Sequence, residues 1–137
     1  MSPLYARLHL WAVTPHEWGH NDCIMSLADW VRDQTGRDPG ADYRGRYGDP
    51  DACPLARSLF QAPLKPVSNA CRAAGLVACS DTPQPGDVGL VHQFDHISTL
   101  IGALCLGENW ASKTAGNGVL IFRPARVRAA WEVGYAR

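Results

Sequence analysis

The sequence predicts an α+β domain, with helices in the first half of the chain and short strands in the second. Apolar residues recur at helical spacing up to about residue 35, which is typical of amphipathic helices. After "SDTPQPGD" they occur in short runs separated by Gly, Asn and Asp, as in an antiparallel sheet. Helices that precede strands, without an internal repeat, favour one layer of helices packed on one face of a meander. We expect one domain over residues 1–137.

Two helices are predicted near the start of the chain. The first covers residues 3–13 and ends at Thr14, because a residue before proline avoids the helical conformation. The second covers residues 23–35, with Asp22 or Asn21 as its N-cap and Gly36 as its stop.

The other predicted elements are shorter. Two helices begin at prolines, and the residues before them form turns rich in Gly, Asp, Arg and Tyr. A last helical turn or two is expected in "PARVRAAWEV". The predicted ranges are turns at 36–52, helices at 50–61 and 66–75, and strands at 88–91, 97–101, 103–106 and 118–122.

Composition excludes several classes of protein. The 46% hydrophobic and 19% charged content is that of an ordinary globular domain. Thirteen basic and thirteen acidic residues cancel, so no nucleic-acid partner is expected. The apolar runs are far shorter than the ~20 residues that span a bilayer, so no membrane insertion is expected. No secretory signal is visible, and we expect synthesis in the cytoplasm.

The five cysteines include one candidate nucleophile. Their number is odd and no C-x-x-C occurs, so neither a zinc ribbon nor a thioredoxin motif is encoded. Cys23 lies in the first turn of the second predicted helix, where free N–H groups and the helix dipole favour a thiolate. The same N–H groups could bind an oxyanion. The alternative is that Cys23 only packs on the helix.

A thiol nucleophile needs a base and a residue that orients the base. Among the five histidines, His96 opens the run "HISTLIG", and His92 is the alternative. If Gly102-Ala103 is a two-residue turn, His96 lies opposite Asn109. A slip of one residue would substitute Glu108 or Trp110.

Three stretches together resemble the NlpC-like cell-wall cysteine peptidases: "TPHEWGHNDC" (14–23), "PGDVGLV" (85–91) and "HISTLIG" (96–102). That family shows Thr-Pro-Tyr-x-Trp-Gly-Gly before Asp-Cys at a helix start, then Pro-Gly-Asp before a strand. His-Val-Gly-Ile-Tyr-x-Gly opens the next strand. The resemblance implies a papain-like NlpC-type fold, with Cys23 as the nucleophile and His96 as the base.

The resemblance also implies the rest of the site. His16 stands where the family has the tyrosine that helps to bind the oxyanion, and Trp18 and Asp22 fall on the same substrate side. Ile24-Met25 replaces the usual Ser-Gly, and "ENWAS" stands where "IHAS" is common, which would put Trp110 at the orienting position. The resemblance implies neither a cofactor nor a metal.

The segment "WGHNDC", followed by "ADWVRDQTGRDP", resembles the small members in tailed-phage and gene-transfer-agent tails. The implied function is a tail-associated cysteine peptidase or amidase that cleaves peptide bonds of bacterial peptidoglycan during cell-wall penetration. Its partners would be the peptidoglycan stem peptide and other tail-hub or tail-tip proteins, and its location the virion tail. The alternative is a catalytically inactive structural tail-hub protein. A metal site of Cys23, His92, His96 and Asp95 is a third hypothesis.

Overall fold

The computed structural model describes residues 2–116 and 118–137. The helices are α1 (Pro3–Val13), α2 (Cys23–Thr35), α3 (Pro54–Gln61) and α4 (Leu64–Ala73). The strands are β1 (Val77–Ala78), β2 (Val88–His92), β3 (Ile101–Cys105), β4 (Trp110–Lys113), β5 (Val119–Phe122) and β6 (Arg126–Glu132). All six form one antiparallel sheet in the order β1-β6-β2-β3-β4-β5. The α+β class is therefore confirmed.

The two N-terminal helices have the predicted bounds, because local signals set their ends. The Asp22 side chain accepts hydrogen bonds from the second and third N–H groups of α2, which is the N-cap arrangement. Gly36 ends α2 in the left-handed conformation, with φ of 76°. In α1, Leu4, Leu8 and Trp11 form the buried face.

The two following helices begin at other residues than predicted. Helix α3 begins at Pro54, four residues later than expected, after turns that extend through residue 53. Helix α4 begins at Leu64, so Pro66 lies inside its first turn. The first N–H groups of a helix have no intrahelical partner, and the missing N–H of a proline is therefore tolerated there.

The last strand corrects one prediction. A helical turn or two was expected within residues 124–133, but residues 126–132 form β6, which pairs with β1 on one side and β2 on the other. The sheet is a meander from β2 to β5, and β6 returns to the opposite side of β2. The sequence prediction was wrong because pairing with two distant strands outweighs local propensity.

The predicted hairpin register is also wrong. Gly102 lies inside β3, and the β3–β4 turn follows Cys105, where the Leu106 N–H donates to the Asn109 carbonyl at 2.8 Å. Leu104 pairs with Ala111. The predicted turn glycine has another role: a Cβ on Gly102 would lie 2.8 Å from Ile24 Cδ1, so its absence lets α2 approach the strand. His96 and Asn109 are therefore not paired.

The central strands β2, β3 and β4 are buried on both faces of the sheet. The larger core lies between the sheet and the helices, and the smaller core lies on the opposite face. The first includes Leu27, Trp30, Leu90, Leu104, Ala111 and Trp131, and the second contains Val91, Ala103, Cys105, Trp110 and Ala130.

The predicted Pro-Gly-Asp turn before β2 is confirmed, and it fixes α2 on the sheet. The Trp30 indole N–H of α2 donates to the Gly86 carbonyl at 2.8 Å. The buried Asp87 carboxylate accepts from the backbone N–H groups of Gln84 and Val133 and from Arg137. The turn thus joins α2, the start of β2 and the chain after β6.

Candidate functional site

Cys23 is the first residue of α2 and lies against β3. Its sulfur is within hydrogen-bonding reach of the backbone N–H groups of Cys23, Ile24 and Gly102. The carbonyl of Cys23 is 3.6 Å from the position that a Gly102 Cβ would occupy. The thiol therefore lies where the helix N-terminus meets the second residue of the strand, with backbone amides around it.

Asp22, the neighbouring residue, has a structural role. It is completely buried, and its carboxylate accepts from the N–H groups of Gly19, Ile24 and Met25 at 2.8, 3.0 and 2.8 Å. The Tyr47 hydroxyl donates to it at 2.6 Å. Asp22 thus caps α2 and ties the 36–52 loop to the helix, and its four hydrogen bonds are all made inside the protein.

The environment of Cys23 keeps its thiol protonated at neutral pH. Burial, and second the Asp22 carboxylate, raise the pKa of Cys23 to about 12, although the surrounding amides lower it. Burial alone raises the pKa of the core thiol Cys71 to the same value. The helix N-terminus was expected to favour a thiolate, but desolvation and a neighbouring anion outweigh it here.

His96 is not brought to the thiol. It is exposed in the turn before β3, and its ring stacks on Phe94 with the centroids 5.8 Å apart. Among residues 2–116 and 118–137, no hydrogen bond joins it to Cys23. It precedes Gly102 by six positions, which is the spacing between the histidine and the last glycine of the family's His-Val-Gly-Ile-Tyr-x-Gly pattern, and Ser98 stands at the pattern's first glycine. Leu100, two positions before Gly102, packs partly buried against the helix-side core.

His92 is engaged elsewhere through both ring nitrogens. It is buried at the end of β2, with Nδ1 3.3 Å from the Ile97 carbonyl and Nε2 3.1 Å from Arg126 Nη2. A guanidinium can only donate, so Nε2 accepts and Nδ1 carries the proton. This ring holds the 93–97 turn to β6 and is not free to serve as a base.

His16 and Trp18 begin a row of aromatic rings beside the N-terminus of α2. His16 packs edge-on against Trp18 at 4.5 Å, and Trp18 packs edge-on against Phe60 at 5.0 Å. Tyr47 continues the row at 5.5 Å from Phe60. Burial lowers the pKa of His16, against a smaller opposite effect of Asp22. His16 is thus the histidine close enough to feel the Asp22 charge.

The three candidates for the orienting residue lie away from the thiol. Glu108 and Asn109 are exposed in the turn at the opposite end of β3 from Gly102. Trp110 belongs to the small core on the face that α2 does not cover. No set of three His, Cys, Asp or Glu side chains in the described part of the chain is placed to hold a metal ion.

Two residues near the site were missed from the sequence. Tyr47 anchors a polar loop on Asp22, and Lys113 is buried with Nζ donating to the Trp11 and Thr14 carbonyls at 2.7 and 2.6 Å. The basic residue thus caps the C-terminus of α1. A polar loop and an isolated lysine carry no sequence signal for burial, since lysine is almost always exposed.

Fold and site together define an α+β domain in which a protonated cysteine begins a helix packed on an antiparallel sheet. Residues 2–133 match the model of a family described as a domain of unknown function, DUF6950, and the chain belongs to that family. No curated protein and no solved structure gives a significant match. Over the described residues, none of the helices combines the length and apolarity that a membrane span requires.

Proposed function

We propose that this chain is a papain-like domain of NlpC type that has kept the cysteine end of the site and lost hydrolysis, and that it serves as a structural component of a phage-like tail tip. The papain-like fold is supported by helix α2, which begins at Cys23 and is capped by Asp22. This helix packs on β3, the strand that follows the Pro-Gly-Asp turn and β2. The role in a tail is supported by the resemblance of residues 18–23 and 28–39 to small tail-associated members.

One observation carries the loss of hydrolysis: the Cys23 thiol has a pKa of about 12 and no histidine bonded to it among the described residues. A thiol attacks a carbonyl as the thiolate, and its partner must later protonate the leaving amine. Leu100, two positions before Gly102 and packed against the helix-side core, is apolar and supplies no donor or acceptor for either proton transfer. The backbone N–H groups around the Cys23 sulfur are present, but the residue that would transfer protons during hydrolysis is absent from the described site.

An active peptidase is the second candidate. It is favoured by Cys23 being only partly buried and by the three backbone N–H groups near its sulfur, which suit an oxyanion. His96 would then have to leave its stacking on Phe94 and fold back toward α2. In that case Cys23→Ala and His96→Ala should each abolish digestion of peptidoglycan.

The test compares the wild-type chain with Cys23→Ala in two assays. Purified protein is incubated with peptidoglycan, and released peptides are measured by mass spectrometry. In parallel, particles are assembled with each variant and their infectivity is counted. We expect no peptide release from either protein and equal infectivity, whereas removal of the whole chain abolishes infectious particles. Release of peptides that depends on Cys23 would overturn the proposal in favour of the peptidase.

A further inference from the structure

We propose that a groove between α4 and the segment before β3 binds an extended peptide that carries two carboxylates. The groove has a volume of about 440 Å³. One wall is a face of α4, and the other is the chain at Ser98 and Leu100. The proposal concerns binding alone and does not depend on whether Cys23 reacts or on a role in a tail.

The α4 wall is polar and basic. Lys65, Ser68, Asn69 and Arg72 all line the groove, and their spacing of three, four and seven residues places them on one face of the helix. Lys65 and Arg72 are exposed. Seven residues of α-helix separate their backbones by about 10 Å, so the wall presents two cations at a fixed distance.

The two cations have no carboxylate partner. Arg72 donates only to the Asn69 side-chain oxygen, at 3.5 Å, and among the described residues neither Arg72 nor Lys65 forms an ion pair. No acidic residue lines the groove. Asp42 lines a separate depression with Lys65, outside ion-pair distance. Among the described residues, four other basic side chains of this neutral chain are in ion pairs: Arg7, Arg32, Arg44 and Arg137.

The opposite wall offers free backbone. The β2–β3 ladder ends at the pair Val91 and Ile101, and within residues 2–116 and 118–137 neither Ser98 nor Thr99 forms a hydrogen bond. Their N–H and C=O groups can pair with an extended ligand, as an exposed edge does in strand addition. A ligand that uses both walls therefore needs a peptide backbone as well as negative side chains.

Part of the groove lining is apolar, which favours a peptide over a nucleic acid. Ala62, Pro63, Leu64 and Leu100 contribute this apolar surface, and they suit small apolar side chains between the two carboxylates. Nucleic-acid binding generally requires a larger basic surface. In an extended peptide, carboxylates four residues apart are about 13 Å apart on one face, within reach of the long Lys65 and Arg72 side chains.

The probe is the peptide acetyl-Ala-Glu-Ala-Val-Ala-Glu-Ala-amide, with the Gln-for-Glu peptide as its control. Binding to the full chain is followed by NMR of the Ser98 and Thr99 amides at low salt. Two partly screened ion pairs should make the Glu peptide bind roughly tenfold more tightly than the Gln peptide. The difference should shrink as salt is added.

Two double variants of equal net charge identify the site. Lys65→Gln with Arg72→Gln should remove the preference for Glu. Arg123→Gln with Arg128→Gln changes two exposed arginines that form no ion pair among the described residues and should preserve it. Unchanged amide shifts far from the groove show that each variant is folded. The proposal fails if both peptides bind equally, if neither binds, if the preference survives in the first variant, or if hexathymidylate binds the same amides more tightly.

Discussion

Replacing Leu100 by histidine should create the acid–base partner that Cys23 lacks. Leu100 is partly buried against the helix-side core. It precedes by two positions Gly102, whose N–H lies near the Cys23 sulfur. Side chains two residues apart in an extended chain lie on one face, about 7 Å apart. An imidazole at position 100 therefore has the reach to approach the thiol.

The size of the effect can be worked from the thiol's present state. Its pKa is about 12, and an opposite charge within a few ångströms lowers a pKa by roughly 1–3 units. At pH 6, where an imidazole of ordinary pKa is largely protonated, the thiolate fraction would rise by roughly 10- to 1000-fold, while a thiolate of lower pKa is a weaker nucleophile, with a Brønsted slope of about 0.4–0.5. The net alkylation rate should rise by roughly 3- to 30-fold.

The assay is iodoacetamide alkylation resolved by peptide mass spectrometry, because the chain has four other cysteines. Thr99→His is the matched control, since Thr99 is exposed and adjacent residues of an extended chain point to opposite faces. Leu100→His should accelerate alkylation of Cys23 alone, and Thr99→His should not. Equal rates in wild type and Leu100→His, or equal acceleration by both variants, would refute the geometric reasoning.

Three further predictions concern the supports of the site. Asp22→Ala should lower the free energy of unfolding by about 3 kcal/mol in urea titrations, because the helix loses its N-cap and the Tyr47 hydroxyl loses its acceptor. Asp22→Asn should lower the free energy of unfolding less. An equal loss of stability in both variants would argue against the role of the carboxylate. Lys113→Met should cost about 2 kcal/mol by the same measurement, because two carbonyls at the end of α1 lose their donor, whereas an unchanged midpoint would contradict this capping role. A hydrogen bond from Arg44 lowers the pKa of Asp38. The stabilisation from this pair is therefore fully present above the ordinary aspartate pKa near 3.9 and is lost as pH falls through the lowered pKa of Asp38. Asp38→Asn should make the free energy of unfolding depend less on pH at acidic pH, and an unchanged dependence would contradict the role of the pair.

The parts of the fold that local signals determine could be predicted from the sequence. Helix α2 has a side-chain cap at Asp22 and a left-handed glycine at Gly36, and both act within a few residues. Strand β6 could not be predicted, because its conformation depends on pairing with β1 and β2, which lie at least 34 residues earlier. The position of the β3–β4 turn depended likewise on the contact between Gly102 and α2.

In the candidate site, too, features set by local sequence could be predicted, whereas features set by distant contacts could not. The sequence correctly predicted that Cys23 begins a helix, and hence that backbone N–H groups surround its sulfur. It gave the opposite sign for the thiol's pKa, because the helix terminus is a local property whereas burial against β3 is a property of the whole fold. Its pairing of Cys23 with His96 depended on a strand that begins four residues later than expected, at Ile101 rather than at Ile97.

Titration of the Cys23 thiol tests the central proposal most directly. The rate of iodoacetamide alkylation at Cys23 is measured against pH in the wild type and in His96→Ala. A thiol with a pKa of about 12 should be alkylated slowly at neutral pH, and the rate should keep rising up to the highest pH at which the chain stays folded. The rate should be the same in both proteins. A rate that already levels off below neutral pH, and that falls in His96→Ala, would reveal a thiolate–imidazolium pair and an active peptidase.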